Sequence, residues 1–376
     1  MKPDEPSNRL ATFERGGAIE VPLGRIESEL AALWRQAAEA KREREGDAPR
    51  PVTRACLWNL IVRVSGEDGF VAVKRLIDEI SSQVPARAIV LHVEPAEPEQ
   101  PIKAWVEANW HANGARASGS DEVTLLICGP MRDRLPALVR ALVVSDAPTA
   151  MFWWGPPPDS SAPVRALLHD IDRLVVDSRK LDSERGLIEY ARLTVTRPSM
   201  ELVDSAWLGV RPLRGLCAGL FDPPRDPSLV ERLTRVRVTS GVAGCQSRGL
   251  YTLGWLASRL GWRGLRRAPA LPNEPGTRVW TATRRAGGTV TLELATELGR
   301  ESHGVQSLDH FVDGARFSLT REKECIDVIG PGLPPRHQPV RTHSDAELLV
   351  SALGPRGRDP IFRDALAEAA RLVEEP

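Results

Sequence analysis

Few side chains in this sequence stand in a pattern that could do chemistry. Ser247 lies in GCQSRG, residues 244–249, a serine between glycines. One residue too many separates it from the G-x-S-x-G nucleophile elbow, so its hydroxyl would miss the strained strand-to-helix turn. Asp170 and Asp172 in HDIDRLVVDS could form a general acid and base, but they flank a strand start, where helix termination and turn formation account for them. The nearest histidine grouping, His303 and His310, has no metal-ligand spacing and reads as surface, and H-E-x-x-H is absent. Phosphate-cradling glycine loops, G-x-x-x-x-G-K-[ST] or G-x-G-x-x-G after a strand, are absent too. The residues thus offer no catalytic, metal or cofactor constellation.

Five cysteines, Cys56, Cys128, Cys217, Cys245 and Cys325, are widely separated and include no C-x-x-C pair, which excludes a zinc ribbon or thioredoxin-type motif. Cys56 and Cys128 sit in apolar strand-like runs and read as buried small hydrophobes. Cys245, in GVAGCQSRG before a helix, is either an inert loop thiol or one whose pKa a helix dipole lowers. Tryptophan is the unusual residue, ten against two tyrosines. Trp153 and Trp154 are adjacent at the end of an apolar strand, before Gly155 and three prolines. Successive strand residues face opposite ways, so the pair exposes one ring as an interface anchor, is covered by two layers, or stacks on a sugar.

These residues must be held by regular elements. Ile26, Leu30, Leu33, Trp34 and Ala37 recur at helical spacing, predicting an amphipathic helix that ends near Gly46. TRACLWNLIVRV reads as one strand and GEDGFVAVKRLIDEI as a helix with Phe70, Val73, Ile77 and Ile80 on one face. RAIVLHVEP, IKAWVEANWHA and EVTLLICG follow as strands, the second of them two-sided and antiparallel. A helix over RDRLPALVRALVV, the strand TAMFWW, the helix APVRALLHDI and the strand DRLVVDS complete a layered pattern. Residues 178–224 look helical and connecting, up to the breaker-rich FDPPRDPS. Beyond it come VERLTRVRVTS as a strand, GLYTLGWLASRLGW as a helix, and four short strands with glycine-containing turns. Ser344 with Glu347 forms a capping box, and Asp359-Pro360 opens the last helix.

The fold class expected is α/β and α+β: an N-terminal mixed sheet covered by helices, then a second α+β domain with antiparallel strands and two C-terminal helices. Its expected divisions are 1–48 (leader and amphipathic helix), 49–178 (α/β), 179–227 (helical connector) and 228–376 (α+β). Fifty basic residues balance fifty acidic ones, so no global field favours nucleic acid or anionic membrane. The opening MKPDEPSNRLATFERGG lacks the pattern of a secretory signal and no apolar run could span a bilayer, so a cytoplasmic location is expected.

Nine segments in register resemble the glucose-6-phosphate dehydrogenase assembly protein family, OpcA. They are VPLGRIESELAALW, TRACLWNLIVRV, PARAIVLHVEP, EVTLLICG, ALVVSDAPTAMFWWGPPP, DRLVVDS, DSAWLGVRPLRGLCAGLFDPP, GWLASRLGW and ELLVSALGPRGRDPIFRDAL. The resemblance implies a non-catalytic subunit that binds glucose-6-phosphate dehydrogenase and promotes its active oligomer, controlling NADPH supply from the oxidative pentose phosphate pathway. It implies no catalytic residue and no cofactor. Partner-binding candidates in the matching segments are Trp153, Trp154, Asp204, Trp207 and Arg211, while Arg54, Asn59 and Arg87 read at least as well as core or strand-end residues. Ala147 before Pro148, and Cys217 within RPLRGLCAGLF, depart from the family pattern. Thioredoxin-dependent control, associated with some photosynthetic relatives, does not carry over, because no two cysteines lie near each other in sequence, which leaves a long-range pair as the one open alternative. Rival readings are a lactonase-like or isomerase-like sugar-phosphate enzyme, with arginines gripping phosphate and a carboxylate moving protons, and a nucleic-acid-binding regulator, suggested only by arginines between Arg259 and Arg267.

Overall fold

The computed structural model describes residues 18–45, 52–54, 56–113, 116–129, 135–222, 227–241, 245–274, 276–297, 304–355 and 357–374. The chain divides into two units, 1–175 and 176–376.

The first unit contains β1 (Ile19–Val21), α1 (Ile26–Glu45), β2 (Val52–Arg54), β3 (Trp58–Val64), α2 (Glu67–Ser81), β4 (Ala86–Glu94), β5 (Lys103–Asn113) and β6 (Arg116–Cys128). It continues with α3 (Leu135–Leu142), β7 (Thr149–Trp153), α4 (Ala162–His169) and β8 (Arg173–Val176). Its strands run in the order β1-β5-β6-β4-β3-β7-β8, with β2 also beside β6. Pairs β3/β4, β3/β7, β4/β6 and β2/β6 are parallel, whereas β1/β5 and β5/β6 are antiparallel. A central parallel strand is covered on both faces and must be apolar throughout. β3 and β4 meet that demand, with all but one residue of each buried. Residues Phe70, Val73, Ile77 and Ile80 of α2 are buried along one face, as their spacing predicts. Ile26 and Leu30 of α1 are likewise buried.

The apolar run at residues 53–64 is not one strand. β2 pairs with β6 and β3 lies between β4 and β7, the break falling at Cys56 and Leu57, where the Leu57 amide donates to the Pro85 carbonyl. Cys56 is therefore half-buried rather than a core residue, while Cys128 is buried as expected.

The second unit has α5 (Gly186–Thr196), β9 (Glu201–Asp204), α6 (Ser205–Gly209), α7 (Arg211–Gly219), β10 (Leu233–Gly241), α8 (Ser247–Leu260), β11 (Arg263–Ala268) and β12 (Arg278–Thr283). Then follow β13 (Thr289–Glu297), β14 (Val305–Val312), β15 (Ala315–Glu322), β16 (Cys325–Ile329), β17 (Arg336–Pro339), α9 (Asp345–Ala352) and α10 (Pro360–Glu374). The segment 179–227, read from sequence as a connector, lies within this unit and includes the strand β9. An eight-stranded sheet runs β11-β12-β13-β10-β14-β15-β16-β17. Every pairing is antiparallel except β10 with β13, so the expected antiparallel sheet has a parallel centre. The capping box at Ser344 and Glu347 closes reciprocally, and α10 begins at Pro360. Among the described residues no helix is long and apolar enough to cross a membrane, and no three His, Cys, Asp or Glu side chains could share a metal.

Helices α8 and α10 meet at Gly254, where an added Cβ would fall 2.4 Å from the Ala365 carbonyl oxygen and 2.8 Å from the Ala369 amide nitrogen. Backbone atoms cannot swing aside, so Gly254→Ala should force the helices apart. The expected loss is about 1–3 kcal/mol, despite alanine's better helix propensity. Urea unfolding checks this, and an equally stable variant would refute the close approach.

Candidate functional site

In the first unit the chain leaves β3 through α2 to β4 on one side, while β7 lies on the other. The carboxyl ends of β3 and β7 therefore flank a topological switch point, the usual ligand crevice of an open α/β sheet. Arg63 and Trp153 meet there. The Arg63 carbonyl accepts from the Trp154 amide at 3.0 Å, and its guanidinium returns a 3.0 Å bond from Nη1 to the Trp154 carbonyl. Its Cζ stands 5.2 Å from the centre of the Trp153 ring. Burial pulls the Arg63 pKa down, partly offset by Asp159. Trp153 is 5% exposed and donates from Nε1 to the Pro156 carbonyl at 2.6 Å. Trp154, just past the strand end, is half-buried with its ring edge-on to Phe152. One ring is thus core and the other reaches the surface in part. A pyrophosphate at this crevice would sit on the first turn of the helix after β3, but α2 begins with Glu67 and Asp68, two carboxylates that repel it.

The second-unit candidates form a separate cluster. Asp204 caps α6 with no solvent exposure: Oδ1 accepts from the Ala206 amide at 2.8 Å and the Ser178 amide at 3.2 Å, and Oδ2 accepts from the Tyr251 hydroxyl at 2.6 Å. Burial nevertheless lifts its pKa to about 6, against the pull of those donors. Trp207 is buried, donating from Nε1 to Asp359 at 2.9 Å, with Arg214 stacked 3.2 Å from its ring centre and Tyr251 and Phe362 packed around it. Burial, reinforced by neighbouring Arg211, brings the Arg214 pKa to about 10 despite Asp359. Arg211 itself opens α7 and is exposed. Of the five candidates, Arg211 is exposed and Trp154 half-buried, whereas Trp153, Asp204 and Trp207 lie in the interior.

Asn59 and Arg87 are structural. Asn59 is buried, donating to the carbonyls of Val144 and Ala147 and accepting from the Val144 amide, which fastens the turn before β7. Arg87 binds Asp121, Glu27 and the Leu142 carbonyl. The Arg54 side chain and His303 lie outside the described residues.

His310, expected on the surface, is completely buried and lies 3.3 Å from the Cys217 sulfur on α7. Its position was readable: Leu308, His310 and Val312 share one face of β14 by their period of two. Burial drives the His310 pKa down to about 4 and that of Cys217 up to about 12. Cys245 is also buried, and its thiol too is pushed up to about 12, so the helix N-terminus does not activate it.

Residues 77–192 match the family model described as the glucose-6-phosphate dehydrogenase subunit N-terminal domain, and residues 200–366 match that of the C-terminal domain. The chain belongs to the OpcA family. Trp153 and Trp154 fall in the first match; Asp204, Trp207 and Arg211 fall in the second. The chain is 28% identical over 193 residues to the OpcA protein of Synechocystis sp. and 26% identical over 193 residues to that of Nostoc punctiforme, both named as OxPP cycle proteins. Each alignment takes in 50% of this chain but only 39% and 41% of the relatives' own lengths. Among solved structures, the chain is similar to an NAD-binding oxidoreductase from Klebsiella pneumoniae, with a TM-score of 0.49, 11% identity and coverage of 85% of this chain and 96% of that one. The transcriptional regulator Gal80p from Kluyveromyces lactis gives 0.49 and 8%, over 85% and 88% of the two chains. Nothing about the chemistry of an OpcA-family chain follows from likeness at this level.

The two buried titratable groups give opposite pH dependences. Between pH 6.5 and about 4, the unfolded chain protonates His310 and the folded chain does not, so stability falls on acidification. Between about 6 and 3.8, the folded chain protonates Asp204 first, so stability rises on acidification. Each contribution reaches about 3 kcal/mol. Relative to the unmodified protein, Asp204→Asn should lose more stability between pH 6.5 and 4, and His310→Gln should lose less, in urea titrations at several pH values. Three parallel curves would dismiss both assignments.

Proposed function

We propose that this chain is a non-catalytic subunit that binds glucose-6-phosphate dehydrogenase, promotes its active oligomer, and so regulates the oxidative pentose phosphate pathway and its NADPH supply. The observation that carries this reading is the match of both family domains, in order, over residues 77–192 and 200–366. The carboxylates Glu67 and Asp68 at the switch-point helix support it, since they disfavour the pyrophosphate that a dehydrogenase must hold. A cytoplasmic location belongs to the same reading.

The mechanism is differential binding: the subunit shifts the enzyme toward its active state only by the difference in its affinity for the two states. A tenfold activation requires about 1.4 kcal/mol of such difference. Trp154 and Arg211 are the contacts in this reading, because they combine accessibility with the residue types that anchor interfaces. Trp153, Asp204 and Trp207 act from behind, holding the surfaces that carry those contacts.

The test is the specific activity of the same organism's glucose-6-phosphate dehydrogenase with and without the chain, alongside light scattering of the mixture. Higher activity in a larger complex is expected, with Trp154→Ala or Arg211→Ala weakening association by about tenfold or more. Absence of complex and activation at micromolar concentrations would sink the proposal. Turnover of a sugar phosphate by the chain alone would replace it with the enzyme reading.

A further inference from the structure

A small cleft of about 40 Å³ opens in the second unit, where the corner between α6 and α7 meets the first turn of α8, β15, β16 and residues 340–343. Its distinguishing feature is uncompensated positive charge. Arg248, in the first turn of α8, has a buried Nε with no hydrogen-bond acceptor, and among the described residues no carboxylate comes within ion-pairing distance of its guanidinium. Asp177 and Asp204, the acids whose fields reach it, are already engaged, Asp177 by Arg179 and Asp204 by its three donors. Arg179 and Arg321 add repulsion, and burial foremost with that repulsion brings the Arg248 pKa down to about 10, so it stays charged at neutral pH.

Arg321 of β15 faces the same cleft and donates to the Thr342 hydroxyl at 3.1 Å, again with no carboxylate partner among the described residues. Arg341 on the rim pairs with Glu347. Apolar side chains of Leu213, Ile326 and Val340 also line the cleft. Charge held against such a low-dielectric wall attracts a counter-ion more strongly than charge in water.

Local backbone preserves this arrangement. Arg248 lies directly over Gly209, where an added Cβ would stand 2.3 Å from Nη2, 2.9 Å from Cζ and 3.0 Å from Nε. Only glycine leaves room for the guanidinium there. Arg248 is half-buried with its Nε fully so, and a guanidinium in that setting without an ion-pair partner is unfavourable unless a ligand supplies the missing anion. Two guanidinium forks lining one cleft suit a doubly charged tetrahedral group better than a single carboxylate. The volume corresponds to about three or four water positions, enough for a phosphate group but not for the molecule bearing it.

We propose that this cleft binds the phosphate group of a small phosphorylated metabolite, with Arg248 and Arg321 as its ligands and the organic part projecting into solvent. The inference does not depend on the dehydrogenase partner, and its test uses the isolated full chain.

Thermal unfolding is followed with sodium phosphate, with glucose 6-phosphate, and with sodium chloride at matched ionic strength. Saturating phosphate and the ester should each raise the melting temperature by about 5 °C or more over chloride. In Arg248→Met the ligand response should vanish, while the ligand-free variant melts no lower than the unmodified chain because an unpaired, half-buried charge is gone. Arg321→Gln, checked for native circular dichroism, should raise the half-saturating concentration by about tenfold or more. No response in the unmodified chain, or an unchanged response in both variants, would overturn the assignment. A response to inorganic phosphate without one to the ester would also overturn it, in favour of a free-anion site.

Discussion

A carboxylate removed entirely from water must find its donors in the protein, and Asp204 meets that constraint with three. One donor is the amide of Ser178, one is the amide of Ala206 at the head of α6, and one is the hydroxyl of Tyr251 in the second turn of α8. The single side chain therefore fixes where α6 begins and how α8 lies against it. Trp207 follows, because α6 carries it into the space between Tyr251 and Phe362, where Asp359 at the head of α10 receives its indole N–H. Gly209 follows as well, two residues further on, and with it the place of the Arg248 guanidinium. Removing one member of such a set leaves the others buried without partners, a larger loss than the net worth of any one bond.

The first unit solves a related problem differently. Its sheet contains buried charge where β4 and β6 run side by side: Arg87 meets Asp121, and Asp121 also accepts from the indole of Trp34 on α1. Lys74 of α2 binds Glu122 and Glu107, although burial alone would favour a neutral Glu122, whose pKa is raised. Trp34 thus ties α1 to β6, Lys74 ties α2 to both β5 and β6, and Arg87 ties β4 to β6. A one-residue slip of β6 would point Asp121 and Glu122 to the wrong faces, so the pairs define register even if a hydrophobic pair would serve stability as well.

Local signals were the legible ones. The helical face of α2, the capping box at Ser344 and the proline start of α10 all depend on residues within a turn or two of each other. β9, β11, β16 and β17 passed unnoticed because they are short or polar: RGLRRA interleaves arginines, and RHQP is exposed throughout. The parallel centre of the second sheet could not be seen, since neither strand records its partner's direction. His310 shows the reverse, a polar residue whose position in an apolar alternation outweighed its type. As for the site, Trp153 and Trp154 drew attention by composition, but only the fold separates the ring that packs inward from the one that reaches the surface. Arg248 and Arg321 belong to no local motif; a helix start and a strand some seventy residues apart bring them together, and a sequence pattern has no term for that distance.

The parallel pairing of β10 with β13 has a consequence for synthesis. β10 lies at the centre of its sheet, yet both of its neighbours come later in the chain: Arg237 waits for Glu293, 56 residues further on, and β14 is later still. A ribosome working at about 5–20 residues per second leaves that strand without either edge partner for roughly 3–10 s. During that interval Leu233, Val236 and Val238, which end fully buried, are exposed on an extended segment open to pairing with other chains. Topology alone thus gives the nascent protein an adhesive stage, which ends only when β13 and β14 have emerged to cover both edges of β10.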